Sequence, residues 1–178
     1  DLSEAVNHAK VATDQLAYSL LFRAIEHGIL EKCRQLNVGV LAYSPLAQGL
    51  LTGKFNSPDE IDDERARIRI YSKNRPGTVH DADGCEKEAF EAVDRIRSIC
   101  TDIGQPMANL ALAWALQQPG VTAALAGART PEQVTLNAEA AELTLSADVL
   151  NRLNEATKAV KQIMGPNADP WRTASRIR

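Results

Sequence analysis

The chain has 178 residues, of which 44% are hydrophobic and 24% are charged, and its formal net charge is −3. These values fit one ordinary folded domain and exclude a disordered chain, which would have fewer apolar residues and a larger net charge. The slightly acidic balance argues against a nucleic-acid partner. No apolar run approaches the roughly 18–20 residues that span a membrane, so no membrane partner is expected.

Cysteine usage and the N-terminus indicate a cytoplasmic location. Cys33, Cys85 and Cys100 are odd in number and widely spaced, which favours neither a disulfide framework nor a metal site. The first residues show no export signal. The chain has no initiating methionine and starts within a predicted helix, from which we expect it to be part of a longer protein.

The first 43 residues alternate helices with short strands. Residues 2–10 predict a helix, and residues 11–18 predict a buried strand. A helical pattern over residues 24–36 precedes a continuous apolar run at residues 38–43. Such a run predicts a strand with both faces covered, as in a parallel sheet.

Residues 44–86 lack periodicity, and a connection of this length is expected to be either functional or mobile. Its charged stretch at residues 59–69 is interpreted as a solvated loop, although Arg65, Arg67 and Arg69 could instead fold over a bound phosphate. His80, like the other histidines, lacks metal-ligand spacing and is interpreted as a surface or hydrogen-bonded side chain.

The second half returns to regular elements. They are a helix over 87–103, a second from Pro106, a strand over 121–126, a helix capped by Thr130 that ends near 140, a last helix capped by Ser146, and an irregular tail at 165–178.

This alternation predicts a parallel α/β architecture. Its three strands are too few to close a barrel.

Ligands of parallel α/β folds bind beyond the C-terminal ends of strands, and the first such place holds Gln15 and Tyr18. The glutamine amide offers both a donor and an acceptor to an amide-bearing ligand. The alternative is a buried polar group that is paired within the protein.

The second place is the segment 43–55. Tyr43 offers a flat face for a planar ring, Gly49 and Gly53 allow close approach of an anion to the backbone, and Lys54 adds positive charge. The alternative is a tight turn after a buried strand.

The third place follows the last strand. Gly127 turns the chain into a helix start, where free N–H groups and Arg129 suit a phosphate. Gln133 and Asn137 share one face of that helix. The alternative is an ordinary helix cap with a solvated arginine.

Taken together, these segments resemble the aldo-keto reductases. Residues 43–54 are similar to the segment after the family's seventh strand, residues 127–137 to that after the eighth, and residues 15–23 to the end of the sixth. The likeness is closest to the branch that contains the potassium-channel beta subunits. It implies that residues 1–178 form the C-terminal portion of a (β/α)8 TIM barrel, with parallel strands six to eight and their flanking helices.

The resemblance further implies NADP(H) as the cofactor and a small aldehyde or ketone as the substrate. It assigns Gln15 to the nicotinamide carboxamide and Tyr43 to stacking on the nicotinamide. It assigns the pyrophosphate to Ser44, Pro45, Leu46, Gln48 and Lys54, and the adenosine with its 2′-phosphate to Gly127, Arg129, Gln133 and Asn137.

The family's catalytic Asp, Tyr, Lys and His have no counterpart here, and Tyr18, Tyr43 and Tyr71 do not occupy the position of its proton-donating tyrosine. We therefore expect no catalytic residue in this chain and no activity from it alone. Free strand edges predict that a missing barrel half or a second copy covers it. A non-catalytic NADPH-sensing interaction module and an inactive truncated product are the alternatives.

Overall fold

The computed structural model describes residues 2–174, and its framework is a three-stranded parallel sheet. Strands β1 (Thr13–Ala17), β2 (Gly39–Tyr43) and β3 (Val121–Leu125) lie side by side in chain order. Helices lie in the connections between them, as is usual for the crossovers that join parallel strands. The predicted parallel α/β architecture is thus confirmed.

The helices lie close to their predicted positions, with two breaks inside predicted helices. Gly28, at φ 123°, separates a 3₁₀ turn at Ala24–Glu26 from the following α-helix. The last predicted helix is interrupted at Thr157, whose φ is −106°. The α-helices are α1 Leu2–His8, α2 Ile29–Gln35, α3 Glu86–Ile103, α4 Met107–Leu116, α5 Pro131–Glu142, α6 Ala147–Ala156 and α7 Lys158–Met164.

The sheet buries one face more completely than the other. Val40 and Ala42 of β2 are fully buried, whereas Leu41 and Tyr43, which alternate with them, are only partly buried. Leu125 at the end of β3 is 43% exposed. The expectation that both faces are covered therefore holds fully for only one of them: within residues 2–174, the face with Leu41 and Tyr43 is partly covered.

A buried polar cluster fixes helix α7 to the end of β1. The Tyr18 hydroxyl donates a 2.8 Å hydrogen bond to Glu26, whose carboxylate also accepts 2.7 Å bonds from Arg23 and Lys161. Burial alone would raise the pKa of Glu26, but the bonds from Arg23 and Lys161 outweigh it and lower that pKa. The carboxylate thus stays charged and joins parts of the chain that are 135 residues apart in sequence.

The segment 44–86 is packed against the protein rather than free in solvent. It contains 3₁₀ turns at Ala47–Thr52 and Pro58–Glu60. Ile61, Ile68, Ile70 and Tyr71 lie in the core. This apolar burial makes the segment part of the folded core, and its two 3₁₀ turns contact α4 and α3 respectively.

The interpretation of residues 59–69 as a solvated loop was therefore wrong for its C-terminal end. Arg65 pairs with Asp62 at the surface, and Arg67 is exposed. Arg69 is buried, and its guanidinium donates to backbone carbonyls of the tail. Because its guanidinium makes these bonds, Arg69 does not serve the alternative interpretation, in which it would fold over a bound phosphate.

His80 departs from the first of its two interpretations, that of a surface side chain. It is 5% exposed and lies against the backbone of Ile68 and Ala82. Burial lowers the pKa of His80, and the positive charge of Arg69 adds to that effect. The backbone of Ile68 and the carboxylate of Asp81 oppose it only in part. The folded protein therefore holds His80 neutral.

Acid is predicted to destabilise the fold through His80. The unfolded chain binds a proton on this histidine near pH 6.5, whereas the folded chain resists it, so the unfolding free energy falls as pH drops below about 7. Each unit of pKa difference is worth about 1.4 kcal/mol. Urea unfolding of the wild type and His80→Leu at pH 7.5 and 5.5 should show a larger acid-induced loss in the wild type. Equal losses would contradict the prediction, since the other histidines are common to both proteins.

Candidate functional site

The candidate site lies at the edge where all three strands end. Ala17, Tyr43 and Leu125 are the last residues of their strands and are in register with one another. The segments after β2 and β3 therefore leave the sheet next to each other. Arg129 follows Leu125 by only four residues. The two stretches predicted to bind one ligand thus begin at the same edge.

The turn after β2 is held in a sparsely populated backbone conformation. Ser44, Ala47 and Gln48 have φ values of 52°, 48° and 57°, in the left-handed region. Each costs about 1–2 kcal/mol for a residue other than glycine. The Gln48 amide donates a 3.2 Å hydrogen bond to the Ser44 hydroxyl, which closes the turn. Strain of this kind is concentrated at functional sites, because surrounding contacts must maintain it.

Lys54 folds back over this turn. A side chain at Gly49, whose φ is 94°, would place its Cβ 3.6 Å from Lys54 Cε and 3.7 Å from Nζ. The exposed ammonium also lies 4.6 Å from the centre of the Phe55 ring. These are ordinary contact distances, so it is the φ of 94° rather than the space that favours glycine here, and the Lys54 cation lies beside the backbone of the turn.

The neighbouring Pro45 and Leu46 are oriented differently. Pro45 is buried, and Leu46 packs against the hydrophobic core. Their side chains support the turn from below. A ligand at this turn would therefore meet their backbone rather than their side chains.

The segment after β3 is an ordered helix start. Thr130 caps α5 by accepting a 3.3 Å bond from the Gln133 N–H. The Gln133 side-chain oxygen accepts a 2.8 Å bond from the Arg129 N–H, and the Asn137 amide donates a 3.3 Å bond to the Gly127 carbonyl. The predicted cap is confirmed. The two amides hold the glycine turn in place and leave the Arg129 side chain exposed.

Gln15 and Tyr18 differ sharply in their surroundings. Gln15 is exposed and pairs with Leu41 in the sheet, which excludes the alternative of a buried amide. Tyr18 is fully buried, and the centre of its ring lies 5.2 Å from the centre of the Trp114 ring. Its hydroxyl donates a hydrogen bond to Glu26. Burial and that carboxylate raise the pKa of Tyr18. Gln15 is therefore available to a ligand, whereas Tyr18 is a structural residue.

A small pocket lies where β1 and β2 end, and its accessible volume of about 10 Å³ is room for about one water molecule. Trp171 of the tail forms part of its wall. The lining residues are Ala17, Tyr18, Ser19, Phe22, Ser44, Ala47, Gln48, Ile68, Pro170 and Trp171.

Several of these lining residues were missed by the sequence analysis. Ser19, Phe22 and Ile68 have no chemical signal in their local sequence, since each reads as part of an apolar or charged run. Ser19 and Phe22 reach the pocket because they follow β1 directly, whereas Ile68 reaches it from the segment 44–86. The likeness of residues 18–23 to a family strand end was the only signal available.

Other reactive side chains are unsuited to catalysis. Burial raises the pKa of Cys85 to about 12 and that of Cys100 to about 11, which keeps both thiols protonated. Burial also raises the pKa of Tyr71, whose hydroxyl has no partner among residues 2–174. In the same part of the chain, no three His, Cys, Asp or Glu residues are grouped as metal ligands would be.

None of the described helices combines the length and apolar character needed to cross a membrane.

Residues 2–158 match the sequence model of the Aldo/keto reductase family. The chain belongs to this family. Membership identifies the three parallel strands as part of a (β/α)8 barrel, of which strands six to eight with their flanking helices are present here as an open fragment. The resemblance inferred from the strand-end segments is thereby confirmed.

Relatives from bacteria and yeast match most of the chain. The "Uncharacterized oxidoreductase YrpG" of Bacillus subtilis is 36% identical over 82% of this chain and 40% of its own length. The "NADH-specific methylglyoxal reductase" of Escherichia coli is 29% identical over 90% of this chain and 46% of its own. The "Putative voltage-gated potassium channel subunit beta" of Schizosaccharomyces pombe is 33% identical over 80% and 41%. The chain thus spans less than half the length of these relatives.

Proposed function

We propose that this chain forms the cofactor-binding part of an NADP(H)-dependent aldo/keto reductase that reduces small aldehydes or ketones to alcohols. The register of Ala17, Tyr43 and Leu125 carries the proposal, because it places the turn after β2 and the helix start after β3 at one edge. An extended dinucleotide has a planar ring at each end and anionic groups between them. The chain offers matching groups in the same order. Tyr43 would meet the first ring, the turn with Lys54 the anionic groups, and the start of α5 the second ring.

The nicotinamide end of the proposed site is at β1 and β2. Tyr43 would stack on the nicotinamide, and the exposed amide of Gln15 would bind its carboxamide. The strained turn would hold the pyrophosphate through backbone N–H groups and Lys54. A bound nicotinamide would supply the hydride that reduces the carbonyl carbon. The residues around the pyrophosphate in this proposal are Ser44, Pro45, Leu46, Gln48 and Lys54, of which Pro45 has no N–H to donate and would only border the anion.

The adenosine end of the proposed site is at the start of α5. The helix dipole and the Arg129 guanidinium favour an anion there, and a guanidinium matches the oxygens of a 2′-phosphate. Gln133 and Asn137 would line the adenosine beside Gly127. In this proposal Arg129 determines the preference for NADPH over NADH, because only NADPH carries the 2′-phosphate. The preference has to be tested in this chain, since one relative is named as NADH-specific.

Replacing Arg129 tests this function directly. Arg129→Ala should weaken NADPH binding by about 1.5–3 kcal/mol, roughly tenfold or more, because a charge-assisted hydrogen bond to the 2′-phosphate is lost. NADH binding should change little, so the ratio of the two affinities should fall when both are measured by isothermal titration calorimetry.

Arg34→Ala is the matched control. Arg34 is exposed and lies beside Gly120, just before the start of β3 and so at the opposite end of the strands from the site. Its removal changes the net charge by the same amount as Arg129→Ala without touching the site. An unchanged affinity ratio in Arg129→Ala, or the same change in both variants, would contradict the assignment. Failure of the unsubstituted chain to bind NADPH would favour an inactive product.

We further propose that the catalytic group is supplied from outside these residues. Tyr18 and Tyr71 are both buried with raised pKa values, which is the opposite of what a proton donor to a carbonyl needs. The isolated chain would then bind the cofactor without reducing carbonyls. The buried free cysteines support a reducing cytoplasm as its location.

A non-catalytic interaction module is the second candidate function. The relative named as a potassium channel subunit beta supports it. Both functions require the same cofactor site, so the cofactor titrations do not separate them. The presence of the four catalytic residues in the complete protein would favour the enzyme, and their absence would favour the module.

The partner we propose is either the other half of the barrel or a second copy of this chain. Strands β1 and β3 each have one free edge within residues 2–174, and the face with Leu41 and Tyr43 is only partly covered. Unpaired edges and exposed apolar surface favour association.

The isolated chain is accordingly predicted to sediment as a dimer or larger species rather than at 19.3 kDa. Leu125→Lys should shift the population toward monomer, because Leu125 is 43% exposed on the edge strand. Ile163→Lys is the control, since Ile163 is 52% exposed but lies on α7. A stable wild-type monomer in analytical ultracentrifugation, or equal effects of the two substitutions, would count against the proposal.

A further inference from the structure

Arg69 makes four hydrogen bonds to backbone carbonyls, one at the end of α7 and three in the tail. Its Nε donates to the Asp169 carbonyl at 2.8 Å, and its Nη2 donates to the Asn167 carbonyl at 2.6 Å. Its Nη1 donates to the Met164 carbonyl at 3.4 Å, and its backbone N–H donates to the Pro170 carbonyl at 2.8 Å. One buried side chain from the segment 44–86 thus binds residues about 100 positions later.

The position of these carbonyls explains why an arginine is needed. Met164 is the last residue of α7, and a helix C-terminus leaves carbonyls unpaired and carries partial negative charge. The guanidinium bonds to one of these, the Met164 carbonyl, and to the Asn167 and Asp169 carbonyls of the tail, with donors fixed in one plane. A buried charge is costly unless it is fully bonded. Arg69 and the tail therefore hold each other in a single arrangement.

The clamped residues border the pocket at the ends of β1 and β2. Pro170 and Trp171 line it from the tail, while Phe22 lines it from the segment after β1. The Arg69 guanidinium lies 5.9 Å from the centre of the Phe22 ring. Beyond this point, the Asp81 N–H donates a 2.7 Å bond to Thr173. The segment 44–86 and the tail are thus joined on either side of Trp171.

We propose that Arg69 is a positioning residue that holds Pro170 and Trp171 in place as the outer wall of this pocket, so that the pocket opens when the clamp is released. The pocket also contains Ser44 and Gln48 of the strained turn. Its relation to a nicotinamide and a carbonyl substrate rests on the proposed function. The clamp itself depends only on the contacts of Arg69 and the tail.

A thiol placed in the pocket can report its opening. Ala17 is 2% exposed and lines the pocket, and Ala17→Cys adds a single sulfur atom there. The labelling rate of this thiol by a maleimide, followed by peptide mass spectrometry, measures how often the pocket opens. Cys33 belongs to α2, is fully buried in the core, and reports opening of the whole protein in the same sample.

Arg69→Met in the Ala17→Cys background should raise the labelling rate at position 17 at least tenfold while Cys33 changes less than twofold. Arg69→Lys should restore part of the protection, because an ammonium can bond one or two of the carbonyls but not all. An unchanged rate at position 17 would overturn the proposal. A parallel rise at both positions would also overturn it, since Arg69 would then stabilise only the fold.

Thr173→Val keeps the proposal testable if Arg69→Met does not fold. Thr173 is exposed, and its substitution removes only the bond from Asp81. It should raise the labelling rate at position 17 about twofold to threefold without affecting Cys33, and no change would contradict the clamp. The rates above are measured without cofactor, so they test the clamp alone. In a separate measurement with NADPH, failure of the cofactor to protect position 17 would count against the proposed function and leave the clamp intact.

Discussion

The register of three parallel strands is the constraint on which the rest of this structure depends. Because Ala17, Tyr43 and Leu125 end their strands side by side, chain segments that are some eighty residues apart leave the sheet from one edge. A shift of one residue in any strand would turn its side chains to the other face. Gly39 contributes to this register: a Cβ there would lie 2.2 Å from the Thr122 hydroxyl at the irregularity between β2 and β3.

Local patterns predicted most of the framework. The stripes of α3 and the continuous runs of β2 and β3 are short-range signals, and Thr130 and Ser146 cap their helices as predicted. Coverage of the sheet was not predictable in the same way, because an apolar run does not reveal what packs on each face. Leu125 belongs to an apolar run in the sequence, yet the residue is 43% exposed in the structure.

The long-range polar contacts could not be predicted at all. Arg69 lies in a charged stretch whose sequence is typical of a surface loop. Its acceptors are backbone carbonyls, which every residue has, so no residue type in the tail marks them. His80 is buried by the same folding of the segment 44–86. By contrast, the glycine turn with Arg129 and the turn after Tyr43 were recognisable, since close backbone approach restricts residue choice locally. Burial, not residue type, separated the structural Tyr18 from the available Gln15.

Hydrogen–deuterium exchange with matched ligand fragments tests most directly whether both segments bind one dinucleotide. NADPH should slow amide exchange in residues 44–54 and in residues 127–137 together. Nicotinamide mononucleotide should protect only the first segment, and adenosine 2′,5′-bisphosphate only the second. Protection of a single segment by intact NADPH, or of neither, would contradict the account.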